Sequence, residues 1–125
     1  MKKESLFLVF VAIGVFSVSL GYGFLPNLTM PFLYDIEVTN INLSNILRAI
    51  TGLYIALVTF WILGAYNANL QLPALWSLTI FMIGLALGRV ASILIDGLPS
   101  PIFIFYLFIE IIFGLIGYAL LKRKL

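Results

Sequence analysis

The sequence predicts an all-α membrane protein, built as an antiparallel four-helix transmembrane bundle with a capping outer loop. Three observations support this fold class. Of the 125 residues, 63% are hydrophobic and 10% are charged, whereas soluble domains contain about 45–50% apolar and about 25% charged residues. Four separate stretches are long and apolar enough to cross a hydrocarbon core of about 30 Å. Most of the basic residues lie at the two chain ends, which favours an even number of crossings.

The four predicted spans form a single transmembrane domain over residues 1–125. They cover about residues 5–22, 43–66, 73–95 and 101–121. We expect Asn42 or Ser44 to cap the second helix and Pro73 to lie in the first turn of the third. Residues 23–42 are too short and too interrupted by proline to span. We expect them to form a loop, with room for one extended stretch, that caps the outer mouth of the bundle.

The first span has one alternative interpretation, a cleaved signal peptide. A basic start and an apolar run fit such a peptide, but Ser17-Val18-Ser19 matches the small-x-small cleavage pattern poorly. We therefore expect a retained helix.

Three charged side chains lie inside the predicted spans: Arg48, Arg89 and Glu110. A charge at the bilayer centre costs roughly 2.5–3.5 kcal/mol even on the lenient insertion scale, so each is expected to face the bundle interior. At a rise of ~1.5 Å per residue, Glu110 lies about 15 Å, Arg89 about 10 Å and Arg48 about 7 Å from the outer helix ends. All three therefore fall in the outer half of one small bundle.

These charges and their polar neighbours form the candidate site. Spacings of three and four residues place Arg89, Ser92 and Asp96 on one stripe, and Arg48 and Thr51 on another. The predicted ligand-binding or buried polar cluster comprises Arg48, Thr51, Arg89, Ser92, Asp96 and Glu110.

The cluster has three interpretations. In the structural one, Arg89 and Glu110 form an ion pair that fixes helix register, and Arg48 extends to the outer headgroups. In the functional one, the groups line an outward-opening cavity for a polar or anionic head, with Glu110 at its floor. In the third, Glu110 relays protons.

Small residues recur at helical spacing in three of the spans and predict close helix packing, because they let backbones approach in lipid. The candidate packing positions are Gly14, Gly21, Gly84, Gly88, Gly114 and Gly117.

Composition narrows the function classes. The chain has no cysteine and no histidine, so it lacks thiolate nucleophiles and the commonest general base and metal ligand. Asp96 and Glu110 make a poor metal site without a third ligand. Because the basic residues cluster at the chain ends rather than on one face, no nucleic-acid partner is indicated. We expect no catalytic residue, no cofactor and no enzymatic activity.

Three sequence blocks resemble a known family. They are Leu47-Arg48-Ala49-Ile50-Thr51-Gly52-Leu53-Tyr54, Gly84-Leu85-Ala86-Leu87-Gly88-Arg89, and Asp96-Gly97-Leu98-Pro99-Ser100-Pro101, with Ser92 and Glu110 beside them. Together they are similar to small bacterial four-helix membrane proteins catalogued as domain of unknown function 4345, over roughly Leu43 to Leu121. Thr51 stands where many members are expected to carry glycine. The resemblance implies a bacterial inner-membrane location and no established activity.

These observations favour a non-enzymatic membrane protein that binds a lipid-like or anionic amphipathic ligand through the outer-half polar cluster. Two alternatives stay open. One is an accessory subunit of a larger membrane complex. The other is a proton-coupled small-solute carrier, for which four helices leave little room unless the protein oligomerises. Membrane lipids are the expected partners, and homo-oligomers or a larger complex remain open.

The basic chain ends predict that both termini are cytoplasmic. Reporter fusions after Lys3 and after Leu125 should therefore both give cytoplasmic signals. A periplasmic signal at either end would contradict the orientation.

Overall fold

A computed structural model describes residues 2–125 and shows five α-helices joined by short connections. The helices are α1 (Lys3–Gly23), α2 (Pro26–Tyr34), α3 (Ile41–Tyr66), α4 (Ala68–Asp96) and α5 (Pro101–Lys124). Within the described residues no strand occurs. All helices except α2 are long and apolar enough to cross a membrane. The predicted all-α bundle with four spans is confirmed, and the chain is a multi-pass membrane protein.

The long helices pack in a chain of neighbours, α1 on α3, α3 on α4 and α4 on α5. At one end of the bundle, the Gln71 side chain of α4 donates a 2.9 Å hydrogen bond to Ser5 of α1. Leu8 and Leu121 belong to one buried cluster at this end, so both chain termini lie there. We call it the terminal end, and we call the opposite end, which carries α2, the α2 end.

The core at the terminal end is built around Trp61, which is fully buried. Its indole nitrogen donates a 3.0 Å hydrogen bond to the Ser77 hydroxyl, so burial leaves no unpaired donor on the ring. Leu75 and Leu78 of α4 are fully buried in the same cluster. Burial of Leu8 and Val11 there makes α1 an integral part of the core.

A single residue, Asn67, connects α3 to α4. Its backbone N–H bonds to Leu63 of α3 at 2.9 Å, and its side chain accepts a 2.9 Å bond from the Asn69 N–H of α4. The expectation that Pro73 opens this helix is wrong, because α4 begins at Ala68 and Pro73 lies inside it. The capping Asn67 and the buried, hydrogen-bonded Gln71 hold the additional turn in place.

The start of α3 also differs from expectation. Asn40, rather than Asn42 or Ser44, is the N-cap, and its side chain accepts a 2.7 Å bond from the Asn42 N–H. Asn42 therefore supplies the donor of the cap instead of the acceptor.

The predicted outer loop contains the short helix α2, which begins at Pro26, a residue suited to the first helical position. Asp35 ends it with a left-handed backbone, φ 58°. The Thr29 hydroxyl ties the helix to α1 through a 2.7 Å bond to the Gly21 carbonyl. The following residues, 36–40, have no regular structure and lead into α3. The capping role was predicted, but the helix was not.

Gly23 marks a close approach between the end of α1 and α3. A Cβ at this position would lie 2.5 Å from the Leu47 carbonyl oxygen and would also collide with the Thr51 side chain. Gly52, on the exposed side of α3, would place a Cβ in open space.

Gly23→Ala should therefore destabilise the protein by about 1–3 kcal/mol, because a backbone carbonyl cannot move cheaply. Gly52→Ala is the matched control and should stabilise α3 by up to about 1 kcal/mol through helix propensity. Thermal unfolding in detergent measures both changes. Equal shifts in the two variants would contradict the close approach at Gly23.

Candidate functional site

An ion pair between α4 and α5 lies inside the membrane-spanning part of the bundle. The Arg89 Nε donates a 2.8 Å hydrogen bond to Oε1 of Glu110. The Glu110 side chain is 8% exposed and that of Arg89 is 22% exposed. The two helices approach closely one turn further along, where a Cβ at Gly114 would touch Ile83 at 3.2 Å. The local packing of α4 on α5 therefore sets the distance between the two charges.

Aromatic rings surround the Arg89 guanidinium. Its central carbon lies 5.5 Å from the ring centroid of Tyr106 and 5.9 Å from that of Phe103, within the range of cation–π attraction. The Tyr22 hydroxyl of α1 approaches the same guanidinium. Two neighbouring helices, α1 and α5, thus contribute side chains to the surroundings of this arginine.

The short helix α2 joins this arrangement through Tyr34. The Tyr34 ring stacks on Phe103 with centroids 5.0 Å apart, and its hydroxyl lies 2.8 Å from the Tyr106 hydroxyl. Burial, together with the bond to Tyr106, raises the pKa of the Tyr34 phenol above its ordinary value, so this hydroxyl stays protonated. Helix α2 is therefore fixed to the same two rings that flank Arg89.

Most of the hydrogen-bonding capacity of Arg89 is unused. A guanidinium carries five N–H donors, and the Glu110 bond is the only hydrogen bond of Arg89 within 3.5 Å among the described residues. Thr79 Oγ1 is the only fully buried, unpartnered side-chain polar atom in residues 2–125. The terminal nitrogens of Arg89, the second oxygen of Glu110 and the Tyr22 hydroxyl therefore remain accessible from open space.

That open space includes a cavity of about 350 Å³ between α1 and α5, which we call the lateral cleft. Its lining includes Phe10, Gly14 and Tyr22 of α1, Arg89 of α4, and Phe105 and Glu110 of α5. Phe10 and Phe105 are strongly exposed, so the cleft opens on the side of the bundle that faces lipid. The cleft exists because α1 and α5 meet through ring edges, such as Phe10 on Phe113 at 6.0 Å, and not through close backbones.

A second cavity, of about 640 Å³, follows α4 toward the α2 end, and we call it the α4 groove. Its lining includes Ile80, Gly84, Gly88 and Ser92 of α4, Pro99 of the connection between α4 and α5, and Phe103 of α5. Arg89 lines both cavities. Arg89 therefore borders two apolar spaces.

The remaining residues of the predicted cluster lie apart from the ion pair. The Arg48 guanidinium bonds to the carbonyls of Gly23 and Phe24, at 3.4 and 3.3 Å, at the end of α1. The Thr51 hydroxyl donates a 2.7 Å bond to the Ser19 carbonyl. Both side chains thus hold α1 to α3 and line neither cavity.

Ser92 and Asp96 lie near the α2 end of α4. They are exposed and are joined to each other at 3.3 Å. Ser92 lines the α4 groove, whereas Asp96 lines neither cavity. Within the described residues, no three His, Cys, Asp or Glu side chains come together as a group that could hold a metal ion.

The six predicted packing glycines fall into two sets. Added Cβ atoms at Gly21, Gly114 and Gly117 would contact side chains of a neighbouring helix. At Gly14, Gly84 and Gly88 they would meet nothing within 4 Å. These three glycines line the two cavities, so in this chain they leave space open and do not bring helices together.

Sequence reasoning missed the aromatic residues of the site. Phe103, Tyr106 and Glu110 are spaced three and four residues apart on α5, so extending the Glu110 stripe toward the α2 end would have found both rings. Tyr34 gave no such signal, because its place beside Tyr106 depends on the path of the outer segment.

The ion pair predicts an asymmetry between single and double substitutions. Glu110→Gln should destabilise the protein by roughly 3–5 kcal/mol, because it leaves a half-buried guanidinium inside the membrane-spanning part of the bundle without its counter-charge. The double change Arg89→Leu with Glu110→Leu removes both charges and should cost less than Glu110→Gln alone. Thermal unfolding of the variants in one detergent measures this. Additive losses across Arg89→Leu, Glu110→Leu and the double variant would show that the two residues do not interact.

Comparison with known proteins gives a family and no activity. Searches of curated proteins and of solved structures found no match. The family described as Domain of unknown function (DUF4345) matches residues 4–121, a range that includes nearly all of the four spans, the ion pair and the residues that line both cavities. The resemblance inferred from the sequence is confirmed, and the chain belongs to the DUF4345 family.

Proposed function

We propose that this protein binds an amphipathic, lipid-like ligand with an anionic head and does not catalyse a reaction. The observation that carries the proposal is that most hydrogen-bond donors of Arg89 are unused. Its guanidinium uses only Nε in the bond to Glu110, and Arg89 lines both apolar cavities. A charged donor group at the end of an apolar space is complementary to a ligand with an acidic head and a hydrocarbon body.

Arginine suits such a head because its planar donors hold a carboxylate or phosphate through two parallel hydrogen bonds. Glu110 supports this role in two ways. It neutralises the guanidinium when no ligand is bound, which lowers the cost of keeping the charge in the membrane. Its bond to Nε also restricts the orientation of the guanidinium and leaves the terminal nitrogens without a hydrogen-bond partner among the described residues.

The lateral cleft matches the hydrocarbon part of such a ligand. Its lining on α1 runs from Phe10 to Tyr22, a length of about 18 Å at ~1.5 Å per residue. One leaflet contributes about half of a hydrocarbon core of about 30 Å. The cleft is therefore only slightly longer than one leaflet is thick, so a chain lying in it would stay mainly within one leaflet and could enter sideways from it. With both termini cytoplasmic, as the basic chain ends favour, this is the outer leaflet.

Binding rather than catalysis fits the chemistry of the site. The accessible polar groups are a guanidinium, a carboxylate and a phenol, which together provide donors and one counter-charge for holding a head. The chain has no cysteine nucleophile and no histidine base. The groups present are sufficient to orient a ligand.

Arg89→Lys tests the proposal, because lysine keeps the charge opposite Glu110 but loses the planar fork. We expect wild-type protein, extracted in mild detergent, to carry an anionic amphipathic species in native mass spectra. Arg89→Lys should reduce its occupancy by roughly tenfold, since a hydrogen bond to a charged group contributes about 1.5–3 kcal/mol.

Arg48→Lys is the matched control. It makes the same chemical change near the α2 end, but at an arginine that lines neither cavity, so occupancy should not change. Equal occupancy in all three proteins, or no bound species in the wild type, would contradict a binding site at Arg89.

A further inference from the structure

Three side chains of α4 line both cavities: Phe81, Leu85 and Arg89. They are spaced four residues apart, so they form one stripe along the helix, about 12 Å long at ~1.5 Å per residue. We call this stripe the ridge. The lateral cleft lies on one side of it and the α4 groove on the other. The two cavities are thus two apolar channels that run beside the same wall and share one arginine.

On the groove side, two of the lining residues are glycines. Gly84 and Gly88 are exposed, and a Cβ on either would meet nothing within 4 Å. On the cleft side, the walls are the side chains of α1 and α5. A ligand with one hydrocarbon chain and its head on Arg89 would occupy one side of the ridge and leave the other side to unrelated lipid.

We propose that the ligand is a two-chain anionic lipid that straddles the ridge, with its head on Arg89, one chain in the lateral cleft and the other in the α4 groove. This inference rests on the proposed function and specifies the class of ligand. Its support is the shared arginine, which joins both channels at the point where a lipid head joins its two chains.

The charge of Arg89 argues for a lipid in the groove in preference to a second copy of this chain. A two-fold contact through the groove would bring the same patch of both copies together, and that patch contains no carboxylate that could accept from the terminal nitrogens of Arg89. A lipid with an acidic head instead supplies the acceptors that the terminal nitrogens lack.

Preference for two chains does not require a hydrophobic gain, because lipid tails are as apolar as the groove. It arises from tethering. Once the head and the first chain are bound, the second chain is held beside the groove at a high effective concentration. It then gains close contacts along the exposed glycine backbone.

The experiment compares phosphatidate, which has two acyl chains, with lysophosphatidate, which has one and carries the same type of phosphate head. Each is titrated into purified, delipidated protein in detergent, and bound fractions are read by native mass spectrometry. The wild type should bind the two-chain lipid several-fold more tightly. Gly84→Leu places a side chain in the groove away from Arg89, so two-chain binding should fall to about the one-chain level.

Gly52→Leu is the matched control, since it makes the same change at an exposed glycine of α3 with equally open surroundings, outside both cavities. It should retain the wild-type preference. Both substitutions replace glycine by a better helix former, so folding is not the expected source of a difference.

Several outcomes would overturn the inference. Equal binding of the two lipids by the wild type, or an unchanged preference in Gly84→Leu, would show that no second acyl chain binds in the α4 groove. A binding site at Arg89 would not be contradicted by either result. Conversion of a dimer to a monomer by Gly84→Leu, read in the same spectra, would assign the groove to a protein interface. Binding of neither lipid by the wild type would instead count against the proposed function itself.

Discussion

The ion pair between Arg89 and Glu110 is the interaction on which the rest of this structure depends. In a hydrocarbon environment neither charge can be left alone, so α4 and α5 must keep the register that brings Nε to within 2.8 Å of Oε1. The pair uses one edge of the guanidinium, and the bundle leaves the other edge accessible. A purely structural pair could be fully enclosed, whereas this one lies at the junction of two cavities.

The aromatic residues around the pair connect it to the short helix α2. Phe103 and Tyr106 flank the guanidinium, and Tyr34 of α2 stacks on the first and shares a hydroxyl contact with the second. A change in the position of α2 would therefore move the rings that surround Arg89. The segment that caps the bundle is in this way mechanically coupled to the candidate binding group, although it carries no charge that contacts it.

The two ends of the bundle have different roles. The terminal end contains a closely packed core around Trp61, with Gly64 and Asn67 allowing α3 to return directly into α4. Toward the α2 end, the helices separate and leave the lateral cleft and the α4 groove. None of the α4 residues beyond Ala86 is buried. A rigid end that fixes helix directions and an open end that carries the polar groups is an arrangement suited to binding a lipid.

The sequence by itself determined the fold class, the four spans, the family and the membership of Arg89 and Glu110 in one polar site. The family was indicated by the resemblance of three sequence blocks. The other points follow from hydropathy, helical spacing and the cost of charge in lipid, which are properties of short segments. It also grouped Arg48 and Thr51 with that site, because their depth is similar, but depth along a helix axis says nothing about direction around it. Tertiary packing turns both toward the end of α1 and leaves Gly14, Gly84 and Gly88 open instead of packed. Only the tertiary structure could decide these points, since a glycine or a polar side chain permits either a contact or a cavity, and the neighbouring helix determines which one forms.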